Sequence, residues 1–240
     1  MLVAMDEELT DRMDAHAREE KPPVSVAEQA YAEIQRMIVT GELSAYELIS
    51  ENDLARRTGC GRTPVREALQ RLRFEGFVDI LPRRGIMVTP VDITRQLDLL
   101  ETRRPLEELM VTLAASRASE SQRGQMRELA DELEAAIANR DRDRYLAINQ
   151  AIHVIEAEAA QNRYLKSQIG VLHALSRRFW YSSIADTDSF SRAAVHHAAT
   201  LRAIADGDED RARMACSRLL ELLQNVSRKA IEDRVRGDGR

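Results

Sequence analysis

Between residues 93 and 235 the chain offers little but amphipathic helix. Apolar residues recur at three- and four-residue spacing through six stretches: 93–119, 122–139, 142–160, 165–184, 189–206 and 209–235. In the first, the stripe includes Leu97, Leu100, Leu106, Leu109 and Leu113. Short polar or Gly-containing breaks separate the stretches at Ser119-Glu120-Ser121, Arg140-Asp141, Gln161-Asn162, Asp186-Thr187-Asp188 and Gly207-Asp208. Helices joined so closely pack antiparallel, so this half is expected to be an all-α antiparallel bundle with room for a pocket in its core. The full 240 residues hold only ten Gly and six Pro, too few for a turn-rich all-β fold, and aromatics are sparse at 4%.

The other bulk properties exclude classes. Apolar content of 44% with 31% charged residues is globular rather than disordered. Two cysteines, Cys60 and Cys216, cannot make a disulfide framework, which suits a reducing, cytoplasmic setting. The first residues are acidic and lack the apolar run of a signal peptide, and no stretch reaches the roughly 18 apolar residues of a membrane span. The net charge of −5, from 35 basic and 40 acidic residues, argues against a simple polyanion binder. By region the charge is uneven. Residues 1–20 carry seven acids against two Arg, whereas residues 54–85 carry eight Arg against three acids. A solvated helix face is the plain reading of such a cluster.

The local pattern around the Arg window says more. An amphipathic helix is expected over 24–40, with Gly41 to cap it, after a flexible acidic arm over 1–22. Residues 43–49 read as a connector with an extended stretch. Ser50 to Asp53 form a capping box opening a short helix over 54–58. After the turn Gly59-Cys60-Gly61 a third helix begins, capped by Gly61 or Thr63, with Pro64 in its first turn. Val65, Ala68, Leu69 and Leu72 face inward, and Arg62, Arg66, Gln70 and Arg73 spread over the outer side. Strands over 77–80 and 86–88, joined by Leu81-Pro82-Arg83-Arg84-Gly85, complete a hairpin. This order is a winged helix-turn-helix, whose second helix can enter the major groove. Arg can grip guanine edges or phosphates there.

The stretch LARRTGCGRTPVREALQRLRFEGFVDILPRRGIMV closely resembles the DNA-binding domain of GntR-family bacterial transcription regulators, over about residues 24–89. The resemblance implies operator contacts from Arg62 and Arg66, with Thr63 and Pro64 at the groove edge, Gly85 in the wing, and Arg56, Arg57, Arg83 and Arg84 as further DNA-facing residues. Three positions depart from the family pattern. Cys60-Gly61 replaces Val-Ser, Ala45-Tyr46 replaces Pro-Gly, and Asn52 replaces an Arg.

In the helical half, Asn149 and His153 share one helical face among Ala151, Ile152, Ile155 and Ala159, and His196-His197 lies on another helix. Glu101-x-Arg103-x-x-Leu106-Glu107, His153 with Asn162, and His197 followed by Ala203 to Asp208 resemble the FadR-type C-terminal domain, FCD. That resemblance implies a small carboxylate effector and, in many members, a metal held by one Asp and three His. Here the Asp position is Asn149, two His are His153 and His197, and the third falls on Leu219. With two of four ligands altered, no tightly bound metal is expected. If a divalent metal binds weakly, Asn149, His153 and His197 are its ligands. Arg103 is expected to pair with the effector carboxylate beside Asn149, His153 and His197, its alternative being an internal salt bridge with Glu107. Arg177 and Arg178, flanking Phe179-Trp180-Tyr181, are further pocket candidates.

The sequence thus divides into an arm (1–22), a winged helix-turn-helix (23–90), an all-helical effector and dimerisation domain (91–235) and a tail (236–240). The expected function is a metabolite-responsive repressor, a homodimer on a palindromic double-stranded DNA operator with no membrane partner. The alternatives are a DNA-binding protein without ligand control, or an enzyme using His153, His197 and Glu156 or Glu158.

Overall fold

The computed structural model of the chain describes residues 25–184 and 187–237; the acidic arm expected over 1–22 and residues 238–240 of the expected tail lie outside them. Helix α1 (Val26–Val39) starts where the Ser25 side chain accepts the Glu28 backbone N–H, and it buries Ala30, Tyr31, Ile34, Met37 and Ile38. Helix α2 (Glu51–Thr58) is capped by Ser50, which accepts the Asp53 N–H at 3.1 Å, and it ends on Gly59 in the left-handed conformation that glycine tolerates best. Helix α3 (Arg62–Phe74) follows and turns Val65, Ala68, Leu69 and Leu72 inward.

The extended stretch expected within the connector over 43–49 supplies a third strand. β1 (Leu48–Ile49) pairs antiparallel with β3 (Gly85–Val88), whose other edge pairs with β2 (Val78–Leu81), giving the order β1-β3-β2. Two residues have no readable period, so only the pairing of Leu48 with Met87 and of Ile49 with Ile86 identifies the strand. Tyr46, which replaces the family glycine, sits at φ +67° with its N–H donated to the Val88 carbonyl. A bulky residue in that region is strained, so the loop holds it against its preference.

Helices α4 (Arg95–Arg117), α5 (Glu120–Ala138), α6 (Arg142–Ala159), α7 (Arg163–Ser183), α8 (Thr187–Ala205) and α9 (Glu209–Gly237) form the bundle. Their bounds lie within two residues of the periodic stretches. The capping box at the first break is complete, with Ser119 and Gln122 satisfying each other's backbone N–H. Helix α4 packs against α6, α7, α8 and α9, so its buried face forms the axis of the bundle. Head and bundle meet along α7. Ala174 is buried in the core of the head, and Arg178 donates to the backbone carbonyl of Thr89 and, at 3.1 Å, to its hydroxyl.

Candidate functional site

Two groups of side chains are candidates: an arginine face on the head and a polar cavity in the bundle. On the head, Arg62 and Thr63 open α3 and are exposed, with Pro64 behind them where no helix hydrogen bond is lost. Gly61 at the cap provides no side-chain bond to the helix start, in keeping with the loss of the family Ser. Arg66 is exposed but engaged, gripping Glu51 of α2 through both Nε (3.2 Å) and Nη2 (2.8 Å). Arg56 pairs with Asp53, and Arg57 lies 3.7 Å from Glu47. Among the described residues, no carboxylate pairs with Arg62, Arg73, Arg83 or Arg84. These four keep their charge available for an external anion. Arg83 and Arg84 occupy the hairpin tip, with Arg83 at φ +62°.

Gly85 contributes through its backbone. It has φ +110°, and a Cβ there would lie 2.9 Å from the Ile49 carbonyl oxygen on the adjoining strand. Glycine therefore allows β1 and β3 to approach closely enough to pair at the base of the wing.

In the bundle, α4, α6, α7, α8 and α9 enclose a small cavity of about 30 Å³. Arg103, Asn149, His153 and His197 line it together with Arg177, one of the two further candidates, and with His173 and Trp180 of α7, whereas Arg178 is engaged with Thr89 instead. Asn149 donates its amide N–H to His197 Nε2 at 2.9 Å, which fixes that nitrogen as an acceptor. Burial holds His197 neutral, with its pKa down to about 4. Arg103 is the largest fully buried side chain, and the structure realises its internal alternative: Nε lies 2.6 Å from Glu107 Oε1 and Nη1 lies 2.6 Å from the Ser176 hydroxyl. Its charge is thus matched inside the protein. Glu107 also accepts from His173 Nε2 at 2.8 Å. Glu156, a turn beyond His153, is buried, and desolvation together with the negative charge of Glu107 pushes its carboxyl up to about 8.

His173 is the residue that sequence reasoning missed. Its ring stacks on His153 with centroids 3.7 Å apart, and burial holds both imidazoles well below their usual range. The available signal was the spacing of His173, Ser176, Arg177 and Trp180 along one face of α7. Leu219 takes no part, since it is buried in the apolar core and Leu223, one turn on, reaches the cavity.

These residues do not fit the metal site that the resemblance implies. Among the described residues no group of three or more His, Cys, Asp or Glu is arranged to hold an ion. Asn149 and His197 spend their facing polar atoms on each other, His173 spends Nε2 on Glu107, and the stacked rings of His153 and His173 present faces rather than nitrogens to one another. Leu219 cannot ligate.

Comparison with known proteins gives these two groups a context. The model of the FCD domain matches residues 98–222, and that of bacterial regulatory proteins, gntR family, matches residues 26–88. The HTH-type transcriptional regulator YdhC of Bacillus subtilis (strain 168) is 31% identical over 140 residues, covering 58% of this chain and 62% of its own length. The chain thus spans somewhat less than two thirds of that relative. The HTH-type transcriptional repressor RspR of Escherichia coli (strain K12) is 26% identical over 162 residues, covering 68% of this chain and 71% of its own. The solved structure of E. coli McbR/YncC superposes with a TM-score of 0.73 at 20% identity, over 86% of this chain and 98% of that one, a likeness of fold. With the FCD model matched over more than half of its length and the gntR head directly before it, the chain belongs to the FCD-domain branch of the gntR family of bacterial regulatory proteins.

Proposed function

We propose that this protein is a DNA-binding transcription regulator in which the winged head (23–90) reads a palindromic operator and the helical domain (91–235) dimerises and binds a small organic acid. The observation that carries the reading is the exposed Arg62 at the start of α3 together with Arg83 and Arg84 at the wing tip, none of them in an ion pair with a carboxylate among the described residues. Desolvating an arginine face is favourable only against an anion, and these positions match the groove-entering helix and wing of the motif. A dimer sets two such faces on two-fold symmetric DNA. The repressor assignment follows the name of the E. coli relative and the logic of release by a metabolite. The matched gntR family and the relatives are named for regulators, so the reading is of a regulator and not an enzyme.

The test is fluorescence anisotropy with a duplex selected in vitro from random sequence. Arg62→Ala and Arg66→Ala are each expected to weaken specific binding by about 1–3 kcal/mol, the usual worth of a base-reading Arg. Affinity should also fall steeply with salt as phosphate contacts release counterions. Affinities unchanged by both substitutions, with the fold intact by circular dichroism, would remove the recognition-helix assignment.

A further inference from the structure

Two polar side chains that line the bundle cavity are poorly matched among the described residues. Trp180 lines it and is buried, and its Nε1–H has no acceptor among the described residues. Leaving a buried donor unpaired is unfavourable, so such a group in a cavity points to a ligand acceptor. Beside it stands Arg177, which has no carboxylate within ion-pairing distance among the described residues and makes only a long 3.5 Å contact to His153 Nδ1. Burial and the nearby charge of Arg103 lower its pKa to about 10, so it remains a cation at neutral pH without a counter-charge. Arg103, the expected anion receiver, is already neutralised by Glu107.

Arg177 also faces a second space. It lines the cleft between the bundle and α1 of the head, opposite Tyr31, Gln35 and Val39. Tyr31 is no ordinary surface group. Its hydroxyl donates to Glu75 at 2.8 Å and accepts from Gln35 at 2.6 Å, and the Arg71 guanidinium lies 3.6 Å over its ring. Glu75 caps the C-terminus of α3, and Arg71 is on α3 itself. One guanidinium is therefore shared between the wall of the cavity and the cleft that leads to the recognition helix.

We propose that Arg177 is the anion receiver of this cavity, binding a small carboxylate together with Trp180 Nε1–H without a metal ion, and that its placement in the head–bundle cleft is how that binding reaches the Tyr31 network and changes operator affinity. The inference rests on the reading of the cavity as an effector site. In it a fixed guanidinium supplies the positive charge that a metal would otherwise bring. Free space of about 30 Å³ favours a small acid. Coupling follows because neutralising Arg177 on the cavity side changes the field it exerts on the cleft side, a free energy shared by both equilibria.

The test uses the full chain, treated with EDTA, and sodium acetate as probe, with sodium chloride of equal ionic strength as control. Trp180 is the single tryptophan, so its fluorescence reports the cavity directly. Acetate is expected to shift that fluorescence in the wild type, to act more weakly on Arg177→Lys, and to have no effect on Arg177→Gln. It is expected to change wild-type operator affinity on the order of tenfold, a typical coupling between sites. In Tyr31→Phe the fluorescence response should persist and the operator response should shrink. Equal fluorescence responses in the wild type and both Arg177 variants, or a response that appears only after zinc is restored, would overturn this inference and leave the effector reading standing. So would an operator response undiminished in Tyr31→Phe. No response to acetate in the wild type would overturn both. Arg177→Lys keeps the test decisive if Arg177→Gln fails to fold.

Discussion

Of the two partners that the sequence offers Arg103, an effector carboxylate and Glu107, the structure shows the second. The guanidinium is 2% exposed and Glu107 5%, and they lie one helical turn apart on α4 with Ser176 and His173 closing the network. Such a pair adds little net stability relative to an apolar core, but breaking it leaves one charge buried alone. Arg103→Met is therefore expected to destabilise the helical domain by about 3–5 kcal/mol, because Glu107 would remain buried beside the carboxyl of Glu156. The double variant Arg103→Met/Glu107→Met should recover most of that loss. Urea unfolding followed by Trp180 fluorescence measures both. A single variant costing less than the double would mean that Glu107 has another source of compensation.

At the scale of the element, the wing depends on the contact between β1 and β3. Gly85→Ala places a Cβ against the Ile49 carbonyl in a backbone region unfavourable to any side chain. It is expected to cost about 1–3 kcal/mol locally and to loosen the tip that carries Arg83 and Arg84. Hydrogen exchange at Ile49 and Ile86 would show this as faster exchange of the paired amides, and unchanged protection would mean that the strands tolerate the added methyl. The six bundle helices, by contrast, were legible almost to the residue, because apolar period and polar breaks such as Ser119-Glu120-Ser121 are local signals. Helix α3 was legible for the same reason. β1 was legible only as an extended stretch and not as a paired strand, since two residues become a strand only through pairing that the chain makes 37 residues later. His173 was not legible either. It has no motif, and it gains meaning only when α7 lays its ring on His153 of α6. Sequence located the elements and most of the cavity wall, whereas partner choices inside the wall are properties of the packed bundle.

At the scale of the whole molecule, burying several titratable groups in one place makes stability depend on pH in two opposing ways. Desolvation holds His153 and His173 well below 6.5 and His197 near 4, so the unfolded chain binds more protons than the native one below about pH 6.5. Their contribution is fully present above that pH and is lost progressively as pH falls. Glu156 works in the opposite sense. Its carboxyl is raised to about 8 against 4.5 in an unfolded chain, so its contribution is complete below pH 4.5 and is lost as pH rises through about 8. Between 4.5 and 6.5 the two trends compete, and three imidazoles outweigh one carboxyl. Between 6.5 and 8 the carboxyl acts alone. The midpoint of urea unfolding reported by Trp180 should therefore peak near pH 6.5 and decline on both sides. Glu156→Gln keeps the shape of the side chain and removes its titration, so it should flatten the alkaline limb while leaving the acid limb in place. An alkaline decline equally steep in that variant would assign it to groups other than Glu156, and a wild-type profile rising from pH 6.5 to 8 would show that this carboxyl ionises in the folded protein at little cost.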